Sequence, residues 1–296
     1  MLRLPCTLLI AVSFLLVTPG PVIAQDEEAA AEKENAVPTV EEILARAEKE
    51  IAKVKGYSGR MIKHERFEDG LAKAVMEFKF QRPFKVYIKY IKPHEGREAI
   101  YKRDWNDNEV KVHKGDFPDI TLNLDPLGGT AMDENHHPIT DFGIENTIKI
   151  SARNLRKALK RKEGDFKVTD GGTMYGQPVW KITARFPKGG HFTTCKEDET
   201  LWDIARRTRQ DMFLIMFANK DFDDPDDPDE GDKVFIPRYY GGKAEFVVSK
   251  KTGLPLKAST WDWRGRLYES YEYPEINYNV GLTPKDFDPD NSAYDF

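Results

Sequence analysis

A disulfide framework is excluded from the outset. The chain has two cysteines, Cys6 and Cys195, and Cys6 falls in an apolar leader, so Cys195 has no partner once the leader is removed. Stability must then come from a packed core. Histidine is scarce as well, six in all, and no His-x-x-x-His pair at helical spacing is present to hold a metal. Neither a Ser/His/Asp nucleophile motif nor a glycine-rich phosphate loop can be read. No catalytic residue, metal or cofactor is therefore assigned. Positive charge is not in excess: the net charge is −5, and no nucleic-acid partner is expected. Past the leader there is no apolar run near the roughly 20 residues that a membrane-spanning helix requires.

The leader spans 1–24. Arg3 supplies the positive start, Leu8 to Val17 is almost wholly apolar, and Val22-Ile23-Ala24 ends on the small residue a signal peptidase needs. The chain is thus expected to be exported. Residues 25–38, rich in Glu and Ala, read as a disordered acidic lead. Thr39 and Glu42 then form a capping box, and Val40, Ile43, Leu44, Ala47, Ile51 and Val54 follow at the spacing of a helix with one apolar face. Gly56 stops it.

From Tyr57 the period changes to two, with strand-like runs at 57–66, 71–81, 84–91, 98–102, 109–113 and 120–124. In the second run Ala72, Ala74, Met76, Phe78 and Phe80 alternate with Lys73, Glu77 and Lys79, and Phe84, Val86, Ile88 and Tyr90 continue the pattern. One face is apolar and the other charged, as in an antiparallel sheet covered on one side. A helix is predicted from near Thr140 or Asp141, with a buried stripe of Ile144, Ile148, Ala152, Leu155 and Leu159. Its outer face carries Lys149, Arg153, Arg156, Lys157, Lys160, Arg161 and Lys162. Such a face either is simply solvated or meets an anionic membrane surface, so peripheral contact through 149–162 is one expectation. Strands resume at 165–169 and 179–186, where Trp180 and Ile182 face inward, and again at 244–248, 256–263 and 266–273. The total is about eleven, near the limit of an open twisted sheet.

Between Gly189-Gly190 and Gly241-Gly242 the alternation is interrupted by a compact block. Thr193 to Cys195 reads as a strand. Thr200 and Asp203 form a second capping box before Leu201, Ile204 and Ala205. Met212 to Ala218 reads as a second short helix, with Asn219 suited to a left-handed end. Val234 and Ile236 share one face of a strand that Pro237 closes. Glycine pairs on both sides suggest an insertion into a sheet hairpin. This order resembles the LysM module, a βααβ domain that binds N-acetylglucosamine-containing glycans such as peptidoglycan. The matching positions are Thr200-Leu201, Ile204-Ala205, Ile215, Asn219 and Gly231-x-x-Val234-x-Ile236-Pro237. Departures are Asp198-Glu199 in place of Gly-Asp, and Cys195 in place of a β-branched residue. The resemblance implies a glycan groove at Asp198, Glu199, Thr200 and Leu201 with Asn219, Lys220, Asp221 and Phe222. Acid at 198 and 199 would repel a stem-peptide carboxylate.

The sheet with its helices resembles the LolA/LolB fold, an unclosed β-barrel with helices covering a hydrophobic cavity. Ser249-Lys250-Lys251-Thr252-Gly253-Leu254-Pro255-Leu256 has the Lys/Thr-Gly-Leu-Pro hairpin such domains often show. Tyr268 to Tyr273, Gly281-Leu282-Thr283-Pro284-Lys285-Asp286-Phe287 and His137-Pro138-Ile139-Thr140-Asp141-Phe142-Gly143-Ile144 resemble the secreted family called domain of unknown function 1571. The expected class is α+β: a LolA-like domain in two pieces, 39–190 and 241–296, with a LysM module at 191–240.

Inward-facing candidates for a lipid cavity are Met76, Phe78, Val86, Ile88, Trp180 and Ile182. The cluster Asp133-Glu134-Asn135-His136-His137 reads as a polar loop before a proline-limited helix, since adjacent histidines point apart on any regular element. The acidic stretch 221–232 lacks the EF-hand order and reads as a stiff solvated loop. Cys195 reads as a buried structural thiol. Three functions follow: a non-enzymatic periplasmic protein of a Gram-negative-type bacterium that holds a lipid or lipoprotein and is tethered by LysM to peptidoglycan in the cell wall; a wall-associated structural or interaction protein without a cavity; and a wall hydrolase, for which no catalytic constellation is legible.

Overall fold

The computed structural model describes residues 37–296. The predicted leader at 1–24 and nearly all of the acidic lead lie outside the described residues. Helix α1 (Val40–Lys53) opens on the predicted capping box, with Thr39 and Glu42 bonded reciprocally. Val40, Ile43, Leu44, Ala47, Ile51 and Val54 are all buried. Strands β1 (Gly56–Arg66), β2 (Leu71–Gln81), β3 (Lys85–Lys92), β4 (Glu98–Lys102), β5 (Val110–His113) and β6 (Thr121–Leu124) follow. A short helix α2 (Gly129–Met132) and a longer one, α3 (Ile144–Arg161), precede β7 (Asp165–Met174) and β8 (Gln177–Arg185). Next come β9 (Gly190–Thr194), α4 (Leu201–Thr208), α5 (Met212–Ala218) and β10 (Lys233–Pro237). The chain ends on β11 (Lys243–Ser249), β12 (Pro255–Trp261) and β13 (Leu267–Tyr278), with a tail that packs Phe287 against Tyr87 and Ile100.

Eleven strands form one antiparallel sheet in the order β6-β5-β4-β3-β2-β1-β13-β12-β11-β8-β7. The sheet is curved and unclosed, since the edges β6 and β7 do not pair. Two meanders meet where β1 and β13 lie side by side, so the first and last strands form the central seam. The alternation in β2 holds, with Ala74, Met76, Phe78 and Phe80 buried. Among the described residues no helix is long and apolar enough to cross a membrane.

Helix α3 covers the apolar face with Ile144, Ile148, Ala152, Leu155 and Ala158. Two expectations are corrected here. The helix begins at Ile144, not near Thr140, because Ile139–Asp141 forms a separate 3-10 turn that ends before Gly143. Leu159 is 38% exposed, and Ala158 takes the inward place instead. From Ile144 a 3.6-residue period falls between 158 and 159, and the small residue permits the closer approach. Gly143 has φ 123°, and a Cβ there would sit 2.7 Å from the Tyr57 hydroxyl. That hydroxyl accepts from Ile144 N at 2.9 Å, replacing the side-chain cap the helix lacks.

Part of the basic face of α3 is paired within the molecule. Arg156 binds Glu41 and Glu48 of α1, Lys149 pairs with Glu145, Arg161 with Glu163, and Lys157 donates to Arg238 O. Arg156 joins the two helices, while Arg153, Lys160 and Lys162 stay exposed.

Strands β8 and β11 are paired neighbours, from Arg185↔Lys243 to Val179↔Ser249. The segment between them leaves the sheet and returns beside itself. It folds as the antiparallel pair β9-β10 with α4 and α5, around a core of Cys195, Leu201, Ile204, Ala205, Met212, Ile215, Val234 and Ile236. The Thr200–Asp203 capping box is formed. Asn219 is not left-handed, contrary to the expectation from sequence: it has φ −121°. Its amide instead donates to Ile215 O and Phe235 O and accepts from Phe235 N, at 2.7–2.8 Å, and so ties α5 to β10. Gly241, at the return, has φ 149°, and a Cβ there would meet Thr260 and Trp261 at 2.4–2.7 Å.

Replacing Tyr57 by Phe should cost about 1–3 kcal/mol by urea unfolding, because the Ile144 N–H is left buried without an acceptor. A loss below a few tenths would show that this cap contributes nothing.

Candidate ligand cavity and its buried polar wall

The sheet and α3 do not meet everywhere. Between them lies a cavity of about 480 Å³, within the size range of small-molecule sites. Its apolar lining includes Met61, Met76, Ile88, Val112, Leu124, Phe142, Leu155, Ile182 and Phe246. Exposed residues Ile120, Thr130 and Asp133 stand on its rim, so the cavity communicates with solvent near α2. Of the six predicted lipid-cavity residues, Met76, Ile88 and Ile182 line it. The other three do not. Phe78 and Val86 are packed in the core at 2% and 0% exposure, and Trp180 packs at the core margin under Lys250 Nζ, 3.9 Å from the ring. Sharing the inward face of a strand is necessary for lining a cavity, but where the covering helix lifts away decides it.

One wall is charged, and composition gave no warning of it. On β1, Lys63 and Glu65 take the inward places that follow Met61, and on β13 Glu269 and Tyr271 do the same. The register sets Lys63 opposite Tyr271 and Glu65 opposite Glu269. Two carboxylates face each other across a strand pair, which is destabilising unless countered. Small neighbours on β2, Ala72 opposite Glu65 and Ala74 opposite Lys63, leave them room.

The compensation is explicit. Lys63 Nζ donates to Glu65 Oε2 and to Glu134 O, each at 2.8 Å, and also to Asn135 Oδ1. Tyr271 donates to Glu65 Oε1. His137 Nε2 lies 3.2 Å from Glu269 Oε2 and 3.0 Å from the Tyr240 hydroxyl, which itself donates to Glu269 Oε2 at 3.0 Å. Asp211, the N-cap of α5, accepts from Tyr268 at 2.5 Å and from Leu214 N at 2.8 Å. His136 is 1% exposed and stacks between Phe213 and Tyr268, with Nε2 bonded to Arg66 O at 2.9 Å.

Asp133–His137 is a polar loop ahead of α3, and not all of it faces solvent. Asp133 and Glu134 are exposed, but Asn135 and the two histidines turn inward onto the sheet. The signal that could have found this wall is charge in phase with an apolar face: Lys63 and Glu65 after Met61, and Glu269 before Tyr271 and Tyr273.

Ionisation follows from these contacts. Burial works against a charged His137, but Glu269, Asp211 and Glu65 together lift it to about 10. Burial would raise Glu269, but the two histidines hold it down to about 2. Lys63 stays above its ordinary value against burial because Glu65 faces it. Burial, first of all, pushes the hydroxyls of Tyr240, Tyr268 and Tyr271 well up, so they remain donors.

The predicted glycan groove is only partly available. Leu201 is fully buried in the module core. Thr200 is engaged by Asp203, and Asn219 by Ile215 and Phe235. Glu199 is clamped by Arg207, which removes the repulsion expected of it. The Leu201 N–H donates to Pro225 O at 2.8 Å, so the structure does bring the two loops together. Asp198, Lys220 and Asp221 remain exposed. Lys220 and half-buried Phe222 border a second cleft of about 800 Å³ between α5 and the sheet, beside Trp263 and Arg264. Cys195 is 2% exposed with its thiol pushed up by burial, as befits a structural residue. In the acidic loop Asp227 accepts from the N–H groups of Asp223 and Asp224, and Asp232 from Asp229. These carboxylates close turns.

Residues 54–235 and 237–296 match the family described as Protein of unknown function (DUF1571), and the first stretch runs through β9, α4 and α5 into β10. No curated protein matches the chain. An uncharacterized conserved protein from Thermus thermophilus is similar in structure at 10% identity, over 84% of this chain and 93% of that one, with a TM-score of 0.39. The lipoprotein LppX of Mycobacterium tuberculosis is similar at 11% identity, over 83% and 99%, with a TM-score of 0.36. A LolA superfamily protein from Nitrosomonas europaea follows at 10% identity, over 85% and 98%, with a TM-score of 0.27. Likenesses this distant say nothing of ligand or activity.

The wall predicts a pH profile. His137 is raised from 6.5, so its stabilisation is complete below that value and is lost as pH climbs toward 10. Glu269 is lowered from 4.5, so its share is present above that value and is lost as pH falls toward 2. The melting temperature should decline from pH 6.5 to pH 10. His137→Gln should flatten that alkaline decline while lowering the whole curve. An unchanged slope in the variant would dissociate His137 from it.

Proposed function

The chain belongs to the DUF1571 family, and from its cavity we propose that it is a non-enzymatic cell-envelope protein that holds an amphiphile: a lipid, or the lipidated end of a partner. The observation that carries this is the solvent-reachable cavity of about 480 Å³, walled by apolar side chains from the sheet and α3. Filling such a space with methylene groups is worth roughly 0.8 kcal/mol for each one buried. The exported, periplasmic setting is part of the same reading, through the leader at 1–24. Native mass spectrometry of gently purified protein should show a bound lipid adduct. Ala258 lines the cavity, and Ala258→Phe should abolish the adduct while leaving the circular dichroism spectrum unchanged. A wild-type chain that is empty and takes up no lipid from vesicles would refute the proposal.

The second element is a tether to peptidoglycan through the LysM-like module. It is supported by the βααβ order of 190–237 and by the exposed side chains of Asp198, Lys220 and Asp221 on loops that the Leu201–Pro225 bond sets side by side. The protein should sediment with purified peptidoglycan, and Lys220→Glu should reduce the pelleted fraction at least threefold. Failure to sediment would remove the tether and leave the cavity reading untouched.

A further inference from the structure

The proposed ligand has a hydrophobic part by virtue of the lining; the charged wall says what its other end must be. Glu269 is 6% exposed and stands at the cavity wall. Its Oε2 takes the contacts with His137 and Tyr240, whereas Oε1 accepts no hydrogen bond from any described residue. Oε1 is not fully enclosed, so its acceptor face stays open at the cavity wall, where a ligand donor would take the place of water. The neighbouring donors are committed elsewhere. Lys63 Nζ has three acceptors, and Tyr271 binds Glu65. His136 Nδ1 makes no hydrogen bond and is 3.6 Å from the same Oε2.

We infer that the cavity takes its amphiphile head inward, with a hydrogen-donating head group, a hydroxyl or an ammonium, bound at Glu269 Oε1. This rests on the amphiphile reading above. A head that only accepts, such as a carboxylate, would meet an acceptor at that end. It would be excluded or left at the rim. Buried donor–acceptor mismatch of this kind discriminates more strongly than chain length does, because the protein group is then left unpaired.

The test uses the full chain and three probes with the same chain, n-dodecylamine, n-dodecanol and dodecanoate, each displacing a fluorescent hydrophobic dye at pH 7.5 below its micelle concentration. The amine and the alcohol should displace dye at concentrations at least tenfold lower than dodecanoate. In Glu269→Gln the amide can keep its oxygen toward His137 and Tyr240 and turn its NH₂ to the cavity, so the preference should shrink below threefold or reverse. Dodecanoate binding as tightly as the other two in the wild-type chain would overturn the inference, and that comparison stands even if the variant does not fold. Failure of all three probes to displace dye would instead refute the amphiphile reading itself.

Discussion

An ionised carboxylate on the inner face of a sheet has to be matched by charge and by donors before anything can pack over it. Here two of them, Glu65 and Glu269, stand opposite each other on β1 and β13. That strand pair is the seam between the two meanders of the sheet, so the repulsion falls where the architecture is joined. Lys63 answers one carboxylate and His137 the other. The matching recruits distant chain: Lys63 holds the backbone of Glu134, His137 brings in Tyr240, and Tyr268 reaches Asp211 on α5. The seam, the loop before α3 and the small module are thus positioned by one set of charges. Remove a member and the remaining charge is buried without a partner, which is the expensive way to break such a network.

The cavity has a separate origin. Two long helices, joined through Arg156, must cover one face of eleven strands. They bury it where large side chains rise to meet them, as at Tyr57, Phe78 and Phe80, whose rings pack together. Where the sheet carries Ala244 and Ala258 instead, the side chains are short and the space stays open. Polar wall and apolar space therefore adjoin because β1 and β13 contribute to both. The wall is rigid by its bonding while the cavity is permissive by its lining, a combination suited to fixing one end of a ligand and accepting variety in the rest.

What could be read from the chain divides along the same lines. Local patterns were legible: both capping boxes, the buried stripe of α1, the alternation in β2 and eleven strand-like runs all depend on residues within one or two turns of each other. The helix α3 was legible in its middle and not at its ends, since its start is set by a tyrosine 87 positions away and its last inward place falls between two residues. Asn219 was correctly placed at a helix end for the wrong reason: the amide that ends α5 is held by a strand 16 residues further on. The charged wall was missed because its pairing is non-local. Lys63 looks like any outward lysine until Tyr271 is set beside it, and His136 looks like a loop histidine until Phe213 and Tyr268 stack on it. Alternation assigns faces, but it does not say that a face will bury a charge.

The module illustrates how a familiar order can serve a different master. Its own core is complete, so βααβ order alone would make it a separable tether. Yet α5 turns Phe213, Leu214 and Phe217 onto Phe67, His136 and Tyr268 of the large body. Asp211 caps that helix and in the same stroke accepts from Tyr268. Detaching the module would expose an aromatic face and strand a buried tyrosine hydroxyl, two costs with no compensating gain. The module therefore packs as part of the large body, although none of residues 190–237 lines the cavity. Asp211 is the joint between module and body, since one carboxylate both caps α5 and accepts from Tyr268 of the sheet.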